Sequence, residues 1–116
     1  MLRIRFSNGD RLEYEGPGAV MPLDNEGLEI RFEYEGREVC WQVWRDHLVI
    51  HSCQEVDVRL PLTFGSVCVA EMKSPWGTME MEAVLKQYEL GDTKVTAAYE
   101  LEGTLFRFQL EWIKEQ

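Results

Sequence analysis

Apolar and polar residues alternate with period two through almost the whole chain, the pattern of strands that bury one face and wet the other. Leu2, Ile4 and Phe6 alternate with Arg3 and Arg5 as far as Ser7-Asn8-Gly9-Asp10, where Asn-Gly supplies a two-residue hairpin turn. Leu12 and Tyr14 then alternate with Arg11, Glu13 and Glu15 up to Gly16-Pro17-Gly18, which bends or interrupts the ladder because Pro17 has no N–H to donate. Ala19 to Leu23 is a candidate continuation.

Leu28, Ile30, Phe32 and Tyr34 oppose Glu29, Arg31, Glu33 and Glu35, and Glu35-Gly36 turns into Val39, Trp41 and Val43. Two further strands, about 47–52 and 55–61, meet at Cys53-Gln54, with Val56, Val58 and Leu60 forming the inner face of the second. After a strand over 67–72, Met79, Met81, Ala83 and Leu85 alternate with Glu80 and Glu82, and 87–92 reads as a connection. Val95, Ala97, Tyr99 and Leu101 pair across Glu102-Gly103 with Phe106, Phe108, Leu110 and Trp112. A helix over 81–88 has suitable residues but no N-cap, so the strand reading leads.

Nine or ten strands on short turns make a meander, and a long antiparallel sheet either closes or leaves edges that recruit other chains. The expectation is an all-β fold: an antiparallel up-and-down meander closed into an 8–10-stranded barrel, as a single domain over 1–116. The length of 116 residues agrees with one core.

Met72-Lys73-Ser74-Pro75-Trp76-Gly77-Thr78-Met79-Glu80-Met81, followed by Tyr99-Glu100-Leu101 and a last alternating strand, resembles the YwiB-like family of small bacterial proteins. Ser74-Pro75-Trp76-Gly77 looks like that family's Thr-Pro-Tyr-Gly turn, with Met72 where a leading Tyr would stand. The family's Arg-x-Gly would fall on His51-Ser52-Cys53, where both defining residues differ. The resemblance implies a calycin-type, lipocalin-like barrel and, by analogy with other calycins, small-ligand binding. The family itself is of uncharacterised function.

Charge and chemistry narrow the partners. Twelve basic residues against 21 acidic ones give a formal charge of −9, whereas phosphate backbones and anionic lipid call for clustered positive charge. Neither nucleic acid nor a membrane is an expected partner. No stretch of about 18 apolar residues occurs, the first apolar run carries charges, and three cysteines are an odd number for a disulfide framework. These features point to a cytoplasmic protein with free thiols.

His47 and His51 have the spacing of a zinc-protease helix without its Glu, and along a strand they stand roughly 13 Å apart, too far to share an ion. His51 and Cys53 share a face, and a thiol- or metal-dependent enzyme built on them is the weakest of the readings entertained. Glu13, Glu15, Glu29, Glu33, Glu55, Asp57, Glu80 and Glu82 lie on the polar phase, so a solvated exterior is expected and not a buried general acid. The turn glycines lack the spacing of a phosphate loop. No catalytic residue, metal ligand or cofactor is therefore assigned.

What stands out is the inner phase, where Tyr14, Phe32, Trp41, Met79, Met81, Tyr99, Phe106, Phe108 and Trp112 converge once a barrel closes. Such a lining either fills the barrel or holds a small apolar or aromatic ligand, since an eight-stranded barrel is only just wide enough for its own side chains. The leading expectation is a ligand-binding barrel. The alternative is a filled barrel serving protein–protein contact, including a homodimer through Trp44 or Trp76, which fall outside the inner phase. Far-ultraviolet circular dichroism is expected to read a β spectrum, and a helix-dominated one would exclude this fold.

Overall fold

The computed structural model describes residues 2–114, which form ten strands: β1 (Leu2–Asn8), β2 (Arg11–Leu23), β3 (Gly27–Tyr34), β4 (Arg37–Val43), β5 (His47–Cys53), β6 (Asp57–Thr63), β7 (Val67–Ser74), β8 (Gly77–Leu90), β9 (Lys94–Leu101) and β10 (Thr104–Lys114). Each strand pairs antiparallel with its sequence neighbours, and β1 pairs with β10, so the meander closes into a barrel. Among the described residues no helix is long and apolar enough to cross a membrane. The segment 81–88, whose helical alternative the alternation disfavoured, lies in β8.

Closure runs from Leu2 opposite Lys114 to Asn8 opposite Phe108. It requires β2 to change partners along its length. Residues 11–18 pair with β1, and Ala19–Leu23 pair with β3. The change occurs at Gly16-Pro17-Gly18, where the sequence marked a bend. A side chain at Gly18 would run into Ile4 on one side and the Arg31 carbonyl at 2.8 Å on the other, so only glycine lets β2 cross this corner.

Two bulges revise the phase read from the sequence. A register shift between Phe6 and Ser7 puts Leu12 opposite Ser7, and Leu12 lies exposed instead of inside. A second, between Leu85 and Gln87, lets β8 run on to Leu90 where a connection was expected. It also switches the inward positions of β8, so that Tyr88 and Leu90 pack against the core. A two-residue alternation hides a bulge, because one inserted residue inverts the phase beyond it.

The turns β2–β3, β4–β5, β6–β7 and β8–β9 share one end of the barrel, and that end is solid. Ile4, Ile30, Val43, Leu48, Leu62, Val95 and Leu110 there are essentially fully buried. Trp44 closes it from outside: its indole N–H donates to the Asp24 carbonyl at 3.0 Å, its ring stacks on His47, and Tyr88 donates its hydroxyl proton to the Trp44 carbonyl. Trp44 was expected on the surface, but its half-buried indole fills the space that a side chain at Gly27 would occupy.

Trp112 lies buried on β10 opposite Ile4 of β1, beside the closing ladder. Trp112→Ala is expected to destabilise the protein by about 3–5 kcal/mol in chemical denaturation, through lost burial and a residual void. A cost under about 1 kcal/mol would mean the closing ladder tolerates an empty site.

Candidate functional site

The other end of the barrel carries the turns β1–β2, β3–β4, β5–β6, β7–β8 and β9–β10, and it is open. A cavity of about 370 Å³ descends from it between Phe6, Trp41, Ile50, Leu60, Tyr99 and Phe108, with Val39, Val58, Ala70, Met81 and Leu101 completing its walls. Asn8, Glu13, Tyr34, Glu35, Arg37 and Ser52 also border it and form its polar rim. Strand alternation explains the lining: below the rim, successive inner positions of β4, β5, β6, β9 and β10 are apolar, and most of their outer neighbours are polar. At the rim Tyr34 donates to Glu13 at 3.0 Å and Arg37 to the Ser52 hydroxyl at 3.2 Å.

Of the nine residues expected to line the barrel, Trp41, Met81, Tyr99 and Phe108 border the cavity. Tyr14 and Phe32 are inside but stack on each other with ring centres 5.1 Å apart. They close the seam where β2 has left β3, and are wall rather than site. Phe106 stacks behind Tyr99 and Phe108 at 5.7 and 6.3 Å, and Trp112 packs in the core. Met79 is 59% exposed, because the β7–β8 hairpin reaches the barrel rim and beyond there its inner phase has no opposite wall. Phe6, Ile50 and Leu60 also belong to the cavity, and their alternation with Arg5, His51 and Arg59 was the available signal.

The four tyrosines differ in how their hydroxyls are satisfied. Tyr14 donates to the Pro17 carbonyl at 2.8 Å, Tyr34 to Glu13, and Tyr88 to the Trp44 carbonyl. Burial, reinforced by the Glu13 carboxylate, raises the Tyr34 pKa, and burial alone holds Tyr99 firmly protonated. Tyr99 is only 7% exposed, yet its hydroxyl has no protein partner. Among the described residues no enclosed side-chain oxygen or nitrogen lacks a hydrogen bond, so the Tyr99 oxygen is not sealed in but faces the open space of the cavity its ring lines.

A second concavity of about 700 Å³ lies on the outer wall, across β2 to β6. Its centre is Glu29, expected in solvent but 6% exposed. Arg31 grips that carboxylate through Nε and Nη2 at 3.0 and 3.4 Å, Gln42 donates at 3.1 Å, and the Cys40 thiol at 3.5 Å. These donors, Arg31 first, hold the Glu29 pKa below the usual carboxylate range. His51 and Cys53 face the same groove, as their shared phase implied, and His51 Nε2 meets the Asp57 carboxylate at 2.5 Å. Among the described residues no group of three or more His, Cys, Asp and Glu side chains is placed to hold a metal ion. Cys40, Cys53 and Cys68 are free and half-buried.

Burial and the neighbouring Glu29 carboxylate push the Cys40 thiol up to about 11. With Cys53 and Cys68 replaced by Ser, iodoacetamide labelling of Cys40 is expected to be slow at pH 8 and to accelerate roughly tenfold per pH unit towards pH 10, since only the thiolate reacts. A rate already level by pH 9 would place the thiol outside the Glu29 network.

No protein-family profile and no curated protein matches the chain. Among solved structures, the crystal structure of the ywiB protein from Bacillus subtilis superposes with a TM-score of 0.71, covering 99% of this chain and 89% of that one at 14% identity. The Ser74-Pro75-Trp76-Gly77 segment that carried the resemblance is the β7–β8 turn, in which the Ser74 hydroxyl donates to the Gly77 carbonyl and accepts from the Trp76 N–H, each at 3.2 Å. The likeness to the YwiB-like family read from the sequence is thus matched in three dimensions, as a likeness of fold.

Proposed function

We propose that this protein is a non-enzymatic receptor or carrier that takes one small apolar or aromatic molecule into the open end of its barrel. The observation that carries this reading is the cavity of about 370 Å³ walled by Phe6, Trp41, Ile50, Leu60, Tyr99 and Phe108. That volume lies at the small end of the range of roughly 300–1,000 Å³ for ligand pockets. Burial of ligand surface against these walls supplies the driving force, at about 25 cal/mol per Å² of apolar area. The polar rim and the solid opposite end leave one direction of entry. The outer groove supports a ligand site less well, because the donors at its centre, Arg31 and Gln42, are already spent on Glu29.

The neutral fluorophore N-phenyl-1-naphthylamine is expected to bind with saturable emission and one-to-one stoichiometry. Ala70→Phe places a ring in the cavity wall and is expected to weaken that binding at least tenfold without shifting the circular dichroism spectrum. Native mass spectrometry of freshly purified protein reports any molecule carried through purification. No saturable signal from the wild-type protein sinks the receptor reading.

A further inference from the structure

Three of the four tyrosine hydroxyls find a protein acceptor, and the fourth, on Tyr99, is turned into an apolar cavity with none. Tyr99 sits on β9 two residues below its rim end at Leu101, with its ring fixed by Phe106 and Phe108. A phenol so placed is held in one orientation before anything arrives, and a preorganised donor among apolar walls favours an occupant that completes its hydrogen bond. We infer that the cavity selects an uncharged, flat, apolar molecule bearing a hydrogen-bond acceptor, a ketone, ester or ether oxygen, which receives the Tyr99 hydroxyl proton.

This inference rests on the receptor reading and adds the ligand's chemical class to it. Charge narrows that class from both sides. The basic residue bordering the cavity is Arg37, at the rim, where it already donates to Ser52, so an anion taken inside would meet no counter-charge. The carboxylates there, Glu13 and Glu35, also belong to the rim, with Glu13 engaged by Tyr34, so a cation alongside Tyr99 would be equally uncompensated. The deep walls are Trp41, Ile50, Leu60 and Phe108, which reward a planar apolar body. Burial keeps the Tyr99 phenol protonated, and it therefore acts as a donor.

Three probes of one shape separate these terms: 2-acetonaphthone, its hydrocarbon isostere 2-isopropenylnaphthalene, and the cationic 1-(2-naphthyl)ethylamine, each titrated calorimetrically into the whole protein. The ketone is expected to bind about five- to tenfold more tightly than the hydrocarbon, the yield of one net hydrogen bond, and the ammonium compound more weakly than either. Tyr99→Phe is expected to erase the ketone's advantage, to leave the hydrocarbon bound at least as tightly as before, since no bare hydroxyl is then buried beneath it, and to leave the melting temperature where it was, since no hydrogen bond within the protein is lost. Equal affinities for ketone and hydrocarbon in the wild type, or a Tyr99→Phe loss that affects both alike, would overturn the Tyr99 anchor while leaving the receptor intact. Tightest binding by the ammonium compound would overturn it in favour of the acidic rim. If none of the three binds, the receptor reading fails and the anchor with it.

Discussion

The ladder between β1 and β10 is the interaction on which the rest depends. Without it the ten strands would form an open sheet with two long edges and a half-wet apolar face. Closing it turns every inner face towards a common axis, so residues distant in sequence, such as Phe6, Trp41 and Phe108, come to share one space. The ladder has its own requirement at the corner, where β2 leaves β1 and takes up β3. Gly18 meets that requirement by letting two backbones and the Ile4 side chain approach closer than any Cβ allows.

Closure with ten strands also explains why one end is solid and the other hollow. Barrel diameter grows with strand number, and eight strands already leave room for their own side chains. Ten strands exceed what this inner set can fill over the barrel's full height. Long aliphatic residues and the Trp44 plug close one end. Towards the other end the aromatic rings pack mostly against their own wall, Phe6 on Phe32 and Phe108, Tyr99 on Phe106, and the axis stays empty between them.

The outer wall follows a different physics. Its ion pairs are mostly exposed ones such as Arg3–Glu15 and Lys73–Glu71, each worth little under screening by water and salt. Glu29 is the exception: the wall's concavity withdraws it from water, and Arg31, Gln42 and Cys40 replace the lost hydration. That network joins β3 to β4 beside the corner of β2, and it sits at the end of the β2–β3 ladder, whose last pair is Ala19 with Arg31. His51 and Cys53 lie next to it, with His51 committed to Asp57.

Period-two alternation was enough to determine an all-β meander, because a half-buried strand writes its burial directly into residue order. It placed Trp41, Met81, Tyr99 and Phe108 correctly on the inner phase, since each lies on an unbroken stretch of strand. Local order could not reveal the bulges after Phe6 and Leu85, since each inserts one residue and inverts the phase silently, misplacing Leu12 and hiding the inward turn of Tyr88. Nor could it tell Met79 from Met81. Both share a face, and only the height of the opposite wall exposes one and encloses the other. Whether a barrel is hollow depends on strand number, stagger and the packing of rings across the axis, all properties of the closed sheet. The sequence by itself determined which side chains turn inward on unbroken stretches of strand; the tertiary structure decided where bulges invert that phase, which of the inward side chains meet, which hydroxyl is left without a partner, and where space remains.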